Sequence, residues 1–225
     1  MKKRSSRLLP FVVIGVVLIA LGAGVVLLVS GSDPEQSPAL ASLPLPQEVP
    51  PDIAVVIDVP SSQGEVSSRE FDRAMEQQAA QKKLKTVPAE GEAGYEELEQ
   101  AALGELLDSI WIRGQAAEMG VSVTPAQVTA ELENIKRRSF KSEAEYQTFL
   151  ASSHFSERDT RERVELQLLS TDLQDKVGSG AKTKAEGEKD FAKFVSSYQR
   201  RWRSRTVCAP EFANERCANG EAPEG

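Results

Sequence analysis

The chain has 225 residues, with 34 acidic and 27 basic side chains that give a formal net charge of −7. This acidic balance argues against a general nucleic-acid-binding protein, which would present a basic face. The sequence also contains no glycine-rich phosphate loop, no nucleophile elbow and no cluster of metal ligands. We therefore expect a protein that is not an enzyme and that binds no cofactor, metal or small-molecule substrate.

A basic start followed by a long apolar run predicts a membrane anchor at the N-terminus. Residues 1–7 carry four basic side chains, and residues 8–30 carry no charge. As a helix, residues 8–30 would span about 34 Å, enough for a hydrocarbon core of about 30 Å. The alternative is a cleaved signal peptide, whose apolar region is normally only about 7–15 residues long. The length of the run favours an uncleaved signal-anchor.

The charges around this run predict its orientation. Basic residues before a membrane helix stay on the cytoplasmic side, so residues 1–7 would form a cytoplasmic tail. All acidic residues follow the run. We expect a single-pass protein of a bacterial cell membrane, with its C-terminal part on the extracytoplasmic side.

Residues 31–52 predict an extended linker between this anchor and a folded domain. Six prolines occur there among Ser, Ala and Gln. Proline at this density blocks both helix and sheet and stiffens the chain. Fully extended, the linker would hold a domain up to about 60 Å from the membrane.

The first predicted elements after the linker are a strand and a capped helix. Residues 53–59 read IAVVIDV, a β-branched run that is typical of a strand. Ser67 then begins a helix that carries Phe71, Ala74 and Met75 on one face. Residues 86–94, which are rich in Pro and Gly, predict a loop before the next helix.

The most informative segment is a long apolar helix that starts near Tyr95. Its apolar side chains fill about half of a helical wheel, so we expect this helix to contact more than one neighbour. Gly120 supplies the left-handed position that ends a helix, and Thr124 with Pro125 begins the next one. The apolar positions are Ala102, Leu103, Leu106, Leu107, Ile110, Trp111 and Ala117.

Capping-box spacings recur along the chain and predict an all-α domain with at most one short strand. A Ser or Thr followed three residues later by Glu, Gln or Asp can satisfy two backbone amides at a helix start. Several such pairs, each followed by apolar residues at helical spacing, indicate a multi-helix fold. The pairs are Ser67–Glu70, Thr124–Gln127, Ser142–Glu145, Ser156–Asp159 and Thr183–Glu186.

An aromatic stripe marks the last predicted helix, which follows a short flexible connection at residues 176–188. The stripe covers an arc of only about 100°, as expected of a helix with one buried face. It could bind another polypeptide, but packing against a neighbouring helix is favoured. Its members are Phe191, Phe194, Val195, Tyr198 and Trp202.

Two polar features are also more consistent with structural roles than with functional ones. The arginines at positions 200, 201, 203 and 205 could touch anionic lipid or another protein, but a solvated helix face is favoured. The single histidine, His154, lies at a predicted junction between helices and has no triad context, so we expect it in a turn.

Cys208 and Cys217 predict a disulfide. They are the only cysteines, and both lie in the part of the chain expected outside the cytoplasm. They lack CxxC spacing and a nearby histidine, which makes a metal site unfavourable. In an oxidising compartment we expect them to close a loop and so restrain residues 208–225 as a tail.

Residues 53–177 resemble the N-terminal chaperone domain of the SurA/PrsA-type foldases. The similar features are the strand AVVIDV, the capped helix SSREFDRAM, and the segment WIRGQAAEMGVSVTPAQV, in which a long helix ends in a glycine turn. Leu106 to Val128 is the most specific part. This sequence departs from the family at residues 60–64, where an Asn-Gly type turn would be expected. Residues 177–189 stand where the family commonly carries a parvulin prolyl-isomerase domain, and residues 191–205 look like the helix that returns afterwards.

The resemblance implies a SurA-N-like helical domain over residues 53–207. It also implies a chaperone of the holdase or foldase type that binds unfolded or newly exported polypeptides, without prolyl-isomerase activity. The alternative is a structural or adaptor protein of the cell envelope that docks one fixed partner. The apolar side chains assigned to client binding are Phe71, Met75, Trp111, Tyr146, Phe149 and Phe155.

Overall fold

The two ends of the described chain meet in a small antiparallel sheet. The computed structural model describes residues 53–220, except for the side chains of residues 61 and 62. Strand β1 (Ala54–Val56) lies in the centre, between β2 (Glu65–Val66) and β3 (Thr206–Cys208). Ala54 is paired with Val66 on one side and with Cys208 on the other.

The predicted N-terminal segments lie outside the described residues. These are the tail at residues 1–7, the anchor at 8–30 and the linker at 31–52. Within residues 53–220, no helix is both long and apolar enough to cross a bilayer.

The structure corrects the length of the first strand. A strand is predicted over residues 53–59, but β1 ends at Val56 because the chain turns at Asp58, whose φ is 64°. A single helical turn, Ser61–Gly64, then leads into β2. Gly64 is required in this turn because a Cβ would lie 2.5 Å from the carbonyl oxygen of Val56.

Six helices of ten or more residues form most of the described chain, which confirms a mainly helical fold. They are α1 (Ser68–Gln81), α2 (Tyr95–Glu118), α3 (Pro125–Ser139), α4 (Glu143–Ser152), α5 (Glu157–Gly178) and α6 (Lys184–Arg203). The prediction of at most one short strand is wrong, because β1 pairs with two further strands.

Three of the predicted capping boxes are complete in the structure. The side chains at Ser67, Thr124 and Ser156 each accept a hydrogen bond from the backbone amide three residues later. The side chain at that third position binds the amide of the cap residue in return. These three pairs fix the starts of α1, α3 and α5, the helices whose beginnings the sequence marks best.

The other two boxes are only half formed. Ser142 and Thr183 accept from the third amide, but the glutamate there binds the amide one residue before the cap, at Lys141 or Lys182. The cap φ angles are −155° and −137°, against −78° at Ser67. The more extended backbone turns the cap's own amide away from the glutamate.

Helix α2 packs on two sides, as its broad apolar arc predicts. On one side, Leu103 and Leu107 join the main core with residues of the strands. On the other side, Ile112 and Ala116 pack against the leucines of α5. Gly120 follows the helix with a φ of 63°, which confirms the predicted left-handed stop.

Helix α6 returns to α2 and buries its C-terminal half in the main core. Trp202 is fully buried, and its indole Nε1 donates to Gln115 Oε1 at 3.0 Å. Its ring lies over Gly114, where a Cβ would be 2.2 Å from Trp202 Cη2. Tyr198 is also buried. The half-buried members of the aromatic stripe are Phe191, Phe194 and Val195.

The connection before α6 is shorter than the predicted segment at residues 176–188. Helix α5 continues to Gly178, and the cap at Thr183 starts α6. The hydroxyl of Ser179 donates to the carbonyl of Lys176 at 2.8 Å and closes the end of α5. Only residues 179–183 therefore link the two helices.

The disulfide between Cys208 and Cys217 is present and restrains the tail against β3. The Asn219 side chain adds a second clamp, because its Oδ1 accepts from the Cys208 amide at 3.1 Å and its Nδ2 donates to the Cys208 carbonyl at 2.8 Å. Both sulfur-bearing residues are fully buried.

Arg203 and Arg205 are half-buried and used within the protein, so the favoured interpretation as a solvated face is wrong for them, whereas Arg200 and Arg201 are exposed, as that interpretation predicts. Arg201 and Arg205 pair with Glu118 at 2.9 and 2.7 Å. Arg205 also pairs with Asp58 at 3.3 Å, and Arg203 donates to backbone carbonyls of the tail. His154 occupies the turn between α4 and α5 with a φ of 56°, as predicted.

Candidate functional site

A groove of about 660 Å³ lies between α1, α2 and α5. Each helix contributes residues at intervals of three or four, which place them on one face. On α2 these are Ala101, Glu105, Asp108 and Ile112. On α1 they are Arg69, Arg73, Gln77 and Gln81, and on α5 they are Asp159, Glu162 and Leu166.

Ion pairs between the helices hold the walls of the groove in place. Arg73 on α1 pairs with Asp159 on α5, and its Nη2 also donates to Ser156 Oγ at 2.9 Å. Arg163 on α5 pairs with Glu105 on α2. Asp159 also completes the capping box at the start of α5. The same carboxylate therefore stabilises the start of α5 and joins α5 to α1.

The α1 wall is unusually rich in glutamine. Gln77, Gln78 and Gln81 line it, and Gln100 on α2 lies across the groove. Gln77 Nε2 donates to the backbone carbonyl of His154 at 3.2 Å, which ties the wall to the turn before α5. Gln78 Nε2 likewise donates to Glu105 Oε2 at 2.6 Å. The exposed Gln81 and Gln100 are therefore the glutamines that can offer uncharged donors and acceptors to a peptide backbone.

Asp108 and Arg216 form an ion pair at one end of the groove. Arg216 comes from the disulfide-closed tail and also lies 5.9 Å from the ring of Trp111. Burial raises the pKa of Asp108, and the adjacent Arg216 opposes that shift. Gly104 makes room for the guanidinium, since a Cβ there would lie 3.2 Å from Arg216 Nε.

Tyr198 from α6 lines the same end of the groove. The residue is only 6% exposed, and its hydroxyl has no hydrogen-bond partner within the described part of the chain. Burial raises the pKa of Tyr198 well above its usual value, so the hydroxyl remains a neutral donor. A buried hydroxyl without a hydrogen-bond partner lowers the stability of a protein, so this donor is a candidate for binding a ligand.

The comparison with protein families identifies the domain. Residues 1–174 match the family model described as a SurA-like N-terminal domain. The chain belongs to the SurA-like N-terminal domain family. The resemblance seen in the sequence is thereby confirmed. No curated protein and no solved structure matched the chain.

The matched range of this SurA-like domain ends before α6. It includes α1, α2 and most of α5, the three helices that form the groove. Tyr198 and Arg216, which close one end of the groove, come from the segment beyond the match. The SurA-like helices and the returning C-terminal segment therefore build the site together.

The six residues assigned to client binding lie outside the lining of this groove. Phe71, Met75 and Trp111 are buried in the main core, at 4, 4 and 2% exposure. Their assignment as client contacts stays a prediction, and this burial leaves them little surface to offer.

The other three assigned residues meet in a separate aromatic cluster. Phe140 contacts both Tyr146 and Phe149, and Phe149 contacts Phe155, with ring centroids 5.3, 5.4 and 6.0 Å apart. Tyr146 is buried, whereas Phe149 and Phe155 are half-buried. Arg163 is 4.4 Å from the ring of Phe155, so the cluster supports the groove wall from behind.

The lining of the groove is difficult to find from sequence because it is mostly polar. A search for apolar side chains selects residues that helices bury against each other. The available signal was the run QQAAQ in α1, where a solvent-facing helix surface more commonly carries Lys and Glu. Within residues 53–220, no group of His, Cys, Asp and Glu could hold a metal ion.

Proposed function

We propose that this protein is a membrane-tethered extracytoplasmic chaperone that holds unfolded or newly exported polypeptides in the groove between α1, α2 and α5. The observation that carries the proposal is the preformed groove on a SurA-like domain. The protein would act as a holdase and would not catalyse prolyl isomerisation.

The chemistry of the groove suits an extended polypeptide of varied sequence. Its charges are largely compensated by ion pairs, so the groove would impose little selection on the charge of a client. The exposed amides of Gln81 and Gln100 can pair with backbone amides, which every client has. Leu106, which is half-buried, adds apolar surface for client side chains.

The predicted anchor and linker support the membrane-proximal part of the proposal. A tethered binder meets chains that emerge at the same membrane at a raised effective concentration. The linker at residues 31–52, if extended, gives a reach of up to about 60 Å. Such a reach would cover the zone in which an exported chain first becomes exposed.

The test is an aggregation assay with the full-length chain held in lipid nanodiscs. At a near-stoichiometric ratio it should slow the aggregation of chemically denatured citrate synthase. Ala101→Trp should weaken this protection because the new ring fills the groove from α2. Ala126→Trp is the matched control, since Ala126 is exposed on α3 and does not line the groove.

Three outcomes would contradict the proposal. Acceleration of a prolyl cis/trans isomerisation by the purified chain would overturn the assignment as a pure holdase. Equal protection by both tryptophan variants would remove the groove as the binding site. Absence of protection, together with stoichiometric capture of one envelope protein by crosslinking, would instead favour the adaptor function.

A further inference from the structure

We propose that Tyr198 and Arg216 form a subsite that binds a backbone carbonyl oxygen of a polypeptide client. The inference rests on the proposed function and names the chemistry that one end of the groove recognises. Both residues line the groove and come from the segment that follows the family match.

The first observation is the unsatisfied hydroxyl of Tyr198. It is buried from solvent and has no acceptor within residues 53–220. The other buried tyrosine, Tyr146, differs: its hydroxyl donates to Glu157 Oε2 at 2.9 Å. A buried donor without an acceptor destabilises the protein. A ligand that supplies an acceptor removes this cost, which favours binding.

The second observation is the placement of Arg216 at the same end of the groove. Its Nη1 pairs with Asp108, and its Nε and Nη2 lie beside Gly104. Within the described chain, these last two nitrogens make no hydrogen bond. The Tyr198 ring centroid lies 6.2 Å from that of Trp111, and the Arg216 guanidinium carbon lies 5.9 Å from the same Trp111 ring, so both side chains lie at the same end of the groove.

The charge balance favours a neutral carbonyl over a carboxylate. Arg216 already has Asp108 as its counter-ion, so the subsite has no uncompensated positive charge. A carboxylate brought to this end would be repelled by Asp108. A peptide carbonyl is a good acceptor without a net charge, and the glutamines along the groove suit the rest of an extended backbone.

The probe is a fluorescein-labelled peptide of about ten residues, which spans about 33 Å when extended. It alternates Ala, Ser, Val and Gln and has an acetylated start and an amidated end. Binding to the full-length chain in nanodiscs is measured by fluorescence anisotropy, and thermal stability is measured on the same samples.

Tyr198→Phe removes the free donor and keeps the ring. We expect it to bind the peptide about five- to tenfold more weakly, the effect of one lost hydrogen bond. Its Tm should be unchanged or higher, because no intramolecular bond is broken. Tyr146→Phe is the matched control: affinity should be unchanged, while Tm falls by about 2–4 °C as the bond to Glu157 is lost.

The outcomes separate this inference from the function on which it rests. Failure of the wild-type chain to bind the peptide would contradict both. Equal affinity of wild type and Tyr198→Phe would overturn the subsite and leave the proposed groove standing. A peptide that ends in a free carboxylate should bind no more tightly than the amidated one; tighter binding that Tyr198→Phe abolishes would show a site for chain ends instead.

Discussion

Gly114 determines how closely α6 can approach α2. A Cβ at this position would lie 2.2 Å from Trp202 Cη2 and under 3 Å from two further ring atoms. The indole cannot move away freely, because its Nε1 is bonded to Gln115. A side chain at residue 114 would therefore separate the two helices or displace the ring.

We expect Gly114→Ala to lower the free energy of unfolding by about 1–3 kcal/mol, as overpacking of a core does. Alanine has a higher helix propensity than glycine. A loss of stability would therefore show that the close contact between residue 114 and the Trp202 ring outweighs this gain in helix propensity. Urea denaturation followed by tryptophan fluorescence measures the change.

Gly178→Ala is the control for that substitution. Gly178 ends α5, and a Cβ there would meet nothing within 4 Å. We expect stability to stay the same or to rise by up to about 1 kcal/mol. If Gly114→Ala behaves like Gly178→Ala, the close approach of α2 and α6 is not important for stability.

Residue-scale features differ in how far the sequence predicts them. Gly120 was predictable, because a glycine after an apolar helix and before a capped one has few other roles. Gly114 was not, because it lies inside a helical pattern and its partner Trp202 is distant in sequence. Its meaning depends on a tertiary contact.

At the scale of elements, α6 and β3 complete a core that the preceding helices leave open. Tyr198, Trp202 and Cys208 belong to the same buried cluster as Leu107 and Trp111 of α2. Thr206 links the two segments further, since its hydroxyl accepts from Trp111 Nε1 at 2.9 Å and donates to the Trp202 carbonyl at 2.8 Å.

Truncation after Gly178 should therefore remove cooperative unfolding. The shortened protein should keep part of its helical circular dichroism, lose its near-ultraviolet signal, and bind a hydrophobic dye through the uncovered core. An unchanged urea midpoint would show instead that α6 packs loosely, and would leave its aromatic stripe available to other proteins.

Helix starts could be predicted and strand pairing could not, and locality is the reason. A cap such as Thr124 accepts a hydrogen bond from an amide three residues away, so the pattern that predicts it lies within a few residues of sequence. The pairing of β1 with β3 joins residues about 150 positions apart, and no local pattern specifies it. The half-formed caps at Ser142 and Thr183 show that spacing alone does not fix the cap backbone.

At the scale of the whole molecule, the untested expectation is topology. If residues 8–30 span the membrane with the N-terminus inside, protease added to intact spheroplasts should degrade the folded domain and leave a small membrane-bound N-terminal fragment. A cytoplasmic marker protein should survive the same treatment. Recovery of a soluble protein that begins downstream of residue 30 would show cleavage instead of anchoring.

The site was less predictable than the fold for a related reason. Recognition of a SurA-like domain depends on helix order and on the glycine turn at residue 120, and both can be predicted from local sequence. The groove depends on which polar faces of α1, α2 and α5 meet. Its closing residues, Tyr198 and Arg216, arrive from the far end of the sequence.

The central position of β1 also constrains the order in which the protein can fold. Strand β1 leaves the ribosome long before its partner β3, which lies about 150 residues further along the chain. Contacts of such long sequence separation form late, because the chain between them must be brought together first. If the domain is exported as proposed, one edge of β1 would therefore stay unpaired until β3 has emerged and Cys208 and Cys217 have been oxidised. A protein with the proposed function would thus itself pass through a partly folded state with an unpaired strand edge, like the chains it is proposed to bind.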